Sequence, residues 1–149
     1  MATQKLNPEQ ILLLDNQLCF ALYSASLAMT RIYKPLLEEL GLTYPQYIAM
    51  LALWERDGLM VSELGERLSL DSGTLTRLLK RLEALGYVAR IRDVQDERRV
   101  HITLTPAGRK LKTRAAKIPA CILEASQCSI PELVSLTQQV QALRQRLTA

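Results

Sequence analysis

A chain of 149 residues with 48% hydrophobic side chains has room for one domain, or for one domain plus a dimerisation extension, and is far from a disordered composition. Its net charge of +4 points only mildly to an anionic partner. No apolar run reaches membrane-span length and no secretory apolar core follows Met1-Ala2-Thr3-Gln4-Lys5, so a cytosolic chain with no membrane association is expected, its three cysteines free or redox-active rather than a disulfide framework.

Asn7-Pro8-Glu9-Gln10 reads as a helix start, with Asn7 as cap and Pro8 in the first turn. Asp15 is a second candidate cap, from which a main first helix would carry Leu18, Leu22, Ala25 and Met29 at helical spacing toward Tyr33-Lys34-Pro35. Pro35 is expected to bend or restart it. Gly41 closes that unit, and Thr43-Tyr44-Pro45-Gln46 begins a helix running through Trp54. A short helix spans Ser62 to Leu68; Asp71 or Ser72 caps the next, which reaches Leu85 and stops at Gly86. Tyr87 to Arg92 and Val100 to Thr105 read as two strands around a polar turn. Thr105-Pro106-Ala107-Gly108 starts a long helix that Pro119 interrupts, and Ser129-Ile130-Pro131-Glu132 is a capping box opening the last helix.

This order predicts a mainly α fold with a small β-hairpin wing, a winged helix-turn-helix over about residues 43–105 inside a single domain of residues 1–149. Helices over about residues 8–40 and 106–149 are apolar on more than one side, so they are expected to pack against a second subunit as a dimerisation region.

Leu75, Leu78, Leu79 and Leu82 follow the i, i+3, i+4, i+7 rule and face a core, which leaves Ser72, Thr74, Arg77, Lys80 and Arg81 outward, with Thr76 on the same segment. Ser72 and Thr74 stand at a helix N-terminus, where free amides favour phosphate. Arg77 has the reach to take guanine bidentately. Arg90, Arg92, Arg98 and Arg99, with Asp96 among them, suit the DNA backbone or the minor groove. A basic helix face alone is more often simply solvated. The adjacent basic hairpin, with Glu38, Glu39, Glu55 and Asp57 lying elsewhere, tips the reading to double-stranded DNA.

Asp96-x-Arg98 followed by Leu104-Thr105, after a helix ending in Gly86, resembles the wing signature of the MarR family of bacterial repressors, and the resemblance covers nearly the whole chain. Four blocks resemble its organic-hydroperoxide-sensing branch: Leu14-Asp15-Asn16-Gln17-Leu18-Cys19-Phe20, Tyr33-Lys34-Pro35-Leu36-Leu37, Leu42-Thr43-Tyr44-Pro45-Gln46-Tyr47 and Leu70-Asp71-Ser72-Gly73-Thr74-Leu75-Thr76. The resemblance implies a homodimeric repressor on a pseudo-palindromic operator, with an organic hydroperoxide as effector. Two residues depart from the branch pattern: Ser69 stands where tyrosine is usual and Arg77 where proline is usual, so operator preference is expected to differ.

The resemblance carries the peroxide-sensing thiol onto Cys19. With a helix starting near Asp15, Cys19 lies in its first turns, where the dipole favours the nucleophilic thiolate. Tyr23 follows on the same face, and with Tyr33 it matches tyrosines that in this family hydrogen-bond the reactive sulfur, one of them from the other subunit. Phe20, Leu22, Met29 and Ile32 would make an apolar surround suited to organic hydroperoxides. Branch members with a C-terminal cysteine join it to the sensing thiol of the other subunit, a role either Cys121 or Cys128 could fill; Cys121, more surely helical, is favoured as the resolving thiol and Cys128 is the alternative. Seven residues apart, the two would share a helix face unless the capping box at Ser129 puts Cys128 beyond the helix end. The plainer reading is that all three are small core hydrophobes. No metal or other cofactor is expected, since there is no close cysteine pair and His101 is the single histidine. The competing readings are a MarR-type repressor released by a small phenolic or anionic ligand, a thiol peroxidase, and a nonspecific chromosome-coating protein. A non-enzymatic regulator is the favoured expectation.

Overall fold

The computed structural model describes residues 7–149, and the leader reading at Met1–Lys5 lies outside the described residues. α1 (Pro8–Ile11) is capped by Asn7, whose side chain accepts the Glu9 N–H while Gln10 reaches back in a capping box. A 3-10 turn over Leu14–Asn16 leads to α2 (Leu18–Glu38). Asp15 is therefore not a cap: it lies inside that turn, and Gln17 holds the cap position of α2 without a side-chain cap bond. The reason lies in two neighbouring amides. Asn16 donates to the Gln10 carbonyl at 2.6 Å and Gln17 to the Ile11 and Leu13 carbonyls at 2.6 and 2.9 Å, satisfying the C-terminal end of α1 and folding the chain into the turn.

Pro35 does not restart the helix; it sits inside α2, which continues to Glu38. The carbonyl that loses its helical donor belongs to Arg31, an exposed residue. The turn after α2 is closed at Gly41, with φ +71°, where Leu42 N–H returns to the Leu37 carbonyl.

α3 (Tyr44–Glu55) starts from a capping box between Thr43 and Gln46. β1 (Leu59–Met60), α4 (Val61–Leu68), α5 (Ser72–Ala84), β2 (Val88–Arg92) and β3 (Val100–Leu104) follow in the expected winged order. β1 was not foreseen, being two residues long; it joins an antiparallel sheet in the order β1-β3-β2. α6 (Pro106–Ala115) and α7 (Ile118–Ser126) replace the single long helix. The break precedes Pro119, which falls in the first turn of α7 where its missing N–H is harmless. α8 (Ile130–Thr148) begins at the Ser129 capping box.

Met50 and Leu53 of α3, Leu64 of α4, Leu75, Leu79 and Leu82 of α5 and Ile102 of β3 form the centre of the core. Each such side chain contributes roughly 1.5–3 kcal/mol by leaving water. Among the described residues, all buried hydrophobic side chains fall between Leu37 and Ile122. α6 is pinned to this lobe at Gly108, whose carbonyl accepts the Trp54 indole N–H at 2.9 Å, while the Tyr87 hydroxyl donates to the Leu40 carbonyl at 3.2 Å. The terminal helices contrast with the lobe. α8 buries none of its residues and α2 only Leu37, leaving Leu18, Leu27 and Ile32 on α2 and Val134, Leu136 and Val140 on α8 in the open. No helix among the described residues is long and apolar enough to cross a membrane.

Candidate nucleic-acid interface and thiol site

The N-terminus of α5 is set by Asp71. Its carboxylate accepts the Thr74 N–H at 2.8 Å and the Thr74 hydroxyl at 2.9 Å. Those bonds, the amide first, hold the Asp71 carboxyl below its ordinary range, and the Arg77 charge adds to them. Leu75, Leu78, Leu79 and Leu82 are all buried, so the helix can present only its other side. Ser72, Arg77, Lys80 and Arg81 are exposed there. Thr74 and Thr76 are half-buried and their hydroxyls are engaged, with Asp71 and with the Ser72 carbonyl respectively.

The wing is shaped by two aspartates. Asp93 N–H donates to the Arg99 carbonyl at 2.9 Å and its carboxylate accepts the Gln95 N–H at 2.8 Å. Asp96 accepts the Arg98 N–H at 3.1 Å and lies 3.8 Å from the Arg99 guanidinium. Asp96 thus acts on the turn that carries Arg98 and Arg99. Among the described residues, the salt bridges leave Arg77, Lys80, Arg81, Arg90, Arg92 and Arg98 without an acidic partner, and all six are exposed. α5 and the wing each thus expose several cations that no ion pair holds, which attracts polyanions. By contrast Glu39, on the far side of the α2–α3 corner, is neutralised by Lys117 at 2.9 Å, and its carbonyl accepts from Arg114.

Cys19 is the second residue of α2 and is exposed, in a first turn whose amides lack helical partners. Tyr23, one turn on, is 62% exposed. Tyr33 is not brought near Cys19 in the protomer: fourteen residues of helix put it about 21 Å further along the axis. Its ring packs on Tyr44 and Tyr47, with centroids 5.0 and 5.9 Å away. Burial first, then these two phenols, push its own hydroxyl up to about 12, which keeps it a proton donor. Tyr44 and Tyr47 belong to the block over residues 42–47. Their i, i+3 spacing at the head of α3 was the available sign that both would meet Tyr33. Phe20, Met29 and Ile32 do not enclose the thiol within one protomer, where each is exposed; Leu22 is half-buried.

None of the three cysteines is a buried core residue in the protomer. Cys121 lies within α7, which packs on α2. Cys128 does not share its helix face. α7 ends at Gln127 in the left-handed conformation (φ 57°), and Cys128 falls in the link to α8 with its sulfur 3.6 Å from the Ser126 carbonyl. A separate apolar hollow of about 310 Å³ lies between α3 and α6, lined by Leu51, Trp54 and Pro119 with Lys112 at its edge.

Residues 31–115 match the family described as transcriptional regulator SarA/Rot. Over 134 residues the chain is 50% identical to the organic hydroperoxide resistance transcriptional regulator of Bacillus subtilis (strain 168), which spans 90% of this chain and 91% of that protein. It also superposes on reduced AbfR bound to DNA, AbfR being a Staphylococcus epidermidis protein, with a TM-score of 0.75 and 34% identity over 91% of this chain and 95% of that one. Against disulfide-formed AbfR the TM-score is 0.61, at 37% identity over 87% and 91% of the two chains.

Proposed function

The chain belongs to the MarR/SarA-type family of winged-helix transcriptional regulators, in its organic hydroperoxide branch, and from that premise we propose that it is a repressor released from its operator when an organic hydroperoxide oxidises Cys19. It is a DNA-binding regulator and not an enzyme, as its relatives are, which sets the thiol peroxidase reading aside. The observation that carries the redox part is the setting of Cys19: an exposed thiol in the first turn of a helix whose apolar face is uncovered.

α5 enters the major groove, with Arg77 toward a guanine edge and Ser72 and the α5 N-terminus on a phosphate. Lys80, Arg81 and the wing arginines Arg90, Arg92, Arg98 and Arg99 hold the backbone and the minor groove, with Asp96 fixing the turn that aims Arg98. The open apolar faces of α2 and α8 meet those of a second copy, placing two copies of α5 one helical turn apart on a pseudo-palindromic site in the cytoplasm. Assembly also supplies what one protomer lacks, bringing Tyr33 of one copy toward Cys19 of the other and covering Phe20, Met29 and Ile32.

In the sensing step the Cys19 thiolate attacks the terminal peroxide oxygen. The O–O bond breaks, the alkoxide leaves and takes a proton, and the products are the Cys19 sulfenic acid and an alcohol. The thiol of Cys121 in the partner subunit then attacks the sulfenic sulfur, a disulfide forms and water leaves; Cys128, in the freer link, is the alternative. A bond between terminal helices rotates the lobes away from operator spacing. A relative, AbfR, has been solved reduced on DNA and, separately, with a disulfide formed, which supports a redox reading.

The test is binding of the purified protein to its own upstream duplex, with an organic hydroperoxide and then dithiothreitol. Release and recovery are expected for the wild type, and retained binding without release for Cys19→Ser. Peroxide release in Cys19→Ser would end the proposal. A second reading, release by a phenolic anion in the Leu51–Trp54–Lys112 hollow, predicts release that dithiothreitol does not reverse.

A further inference from the structure

His101 takes no part in the sites assigned above. On β3 it is paired in register with Met60 of β1 and Ile91 of β2, which puts its ring at the seam between the wing and the helical lobe. Nδ1 lies 3.0 Å from the carbonyl oxygen of Gly58, in the turn from α3 to β1, and Nε2 lies 3.1 Å from Oδ2 of Asp93, where the wing loop begins. A carbonyl and an ionised carboxylate only accept. A neutral imidazole has one N–H and serves one of them; the imidazolium serves both.

Each partner is itself fixed. Asp93 closes the wing loop through Arg99 and Gln95, as described above, and so sets where Arg98 and Arg99 stand. Gly58 N–H donates at 2.8 Å to Asp57, whose carboxylate also accepts the Leu104 N–H at 2.8 Å. The ring thus ties the loop that bears the wing arginines to the lobe that bears α5.

We propose that His101, protonated at both ring nitrogens, is a positioning residue for DNA binding: it locks the arginine-bearing wing to the lobe, and operator affinity falls as rising pH removes its second proton. The inference rests on the reading of the wing as a DNA-contacting element.

The charges around the ring favour the lock. Asp93 and Glu63 of α4 are carboxylates acting on it, Glu63 being shared with Arg56 at 3.8 Å. Asp57 is occupied by Leu104 and by Arg109 at 3.5 Å, and Arg92 on β2 is exposed. The Gly58 carbonyl first, then Asp93, hold the imidazole above its ordinary 6.5, against a smaller opposing effect of burial. Asp93 is lowered in turn, by the Gln95 amide first and then by His101. A raised histidine keeps its charge further up the pH scale than a free imidazole, so the lock holds on the acid side and opens as pH rises through the folded value above 6.5. The imidazole side chain is 32% exposed, which leaves it in proton exchange with solvent.

The experiment measures the Kd of the full-length, reduced protein for one upstream duplex at fixed salt, from about pH 6 to about pH 8.5. Wild type, His101→Gln and Asp93→Asn are compared. The wild type is expected to weaken by about three- to tenfold per protomer across the window, the limit being about tenfold per pH unit for one coupled proton. His101→Gln, whose amide does not titrate, is expected to stay level, and Asp93→Asn to move the fall to lower pH. A level wild-type curve, or the wild-type fall persisting in His101→Gln and unmoved in Asp93→Asn, overturns the proposal. Absence of DNA binding at every pH overturns the wing assignment as well.

Discussion

Replacing Gly108 by alanine sets two opposed effects against each other. In a helix alanine is favoured over glycine by up to about 1 kcal/mol. At this position of α6, however, the added methyl would be driven into the carbonyl oxygen of Tyr87, with the carbonyl carbon 3.1 Å away. That carbonyl cannot simply swing aside, because it accepts the Thr105 N–H at 3.1 Å. Nor can α6 retreat freely, because the Gly108 carbonyl holds the Trp54 indole at 2.9 Å. Relief of the clash breaks one of these bonds, about 1 kcal/mol, and displaces packed neighbours, about 1–3 kcal/mol for an overfilled site. After the helical gain is subtracted, the variant should be less stable by about 1–3 kcal/mol. Urea unfolding followed by far-ultraviolet dichroism at matched protein concentration measures this. Gly73→Ala is the control: its methyl would meet only the Asp71 carboxylate, at 3.4 Å, and the midpoint should hold or rise. A Gly108→Ala midpoint equal to or above wild type would refute the argument, since the close approach of α6 to the wing would then be absent.

Arg77→Ala should weaken operator binding by about 1–3 kcal/mol and blur the preference at one base pair, whereas Arg98→Ala should weaken operator and random duplex alike and flatten the salt dependence; competition titrations at two salt concentrations separate the two. Val140→Asp, at a residue 45% exposed in the protomer, should leave the urea slope of the lobe intact while sedimentation shows dissociation to monomers. The depressed Asp71 carboxyl stabilises the fold above its ordinary 3.8 and ceases to as pH falls through its lower folded value. Below about pH 4, Asp71→Asn should therefore lose stability less steeply than wild type in acid titrations followed by dichroism.

The elements of the lobe were legible because local chemistry and burial agree there. Thr43, Asp71 and Ser129 each precede an apolar period and each proved to be the cap. Where a side chain's partner is distant, the sequence is silent. Asp15 has the chemistry of a cap, but Asn16 and Gln17 reach back six residues and take the chain into a turn first. Pro35 carries the signal of a break, yet α2 runs on past it to Glu38. β1 is two residues whose pairing lies with Ile102 and His101, far along the chain. The thiol site divides in the same way: the place of Cys19 at a helix start was readable, while the packing of Tyr33 on Tyr44 and Tyr47 depends on how α2 meets α3.

The confinement of the buried core to residues 37–122 has a genetic consequence. A copy damaged on the exposed face of α5 keeps its lobe folded and keeps the apolar faces of α2 and α8. On the pairing proposed above, it would still join healthy copies and leave each mixed pair with a single working reader. With equal expression, three quarters of the assemblies would contain at least one damaged subunit, by the binomial count for a two-fold pair. Lesions on that face should behave as dominant alleles, and lesions that collapse the lobe as recessive ones.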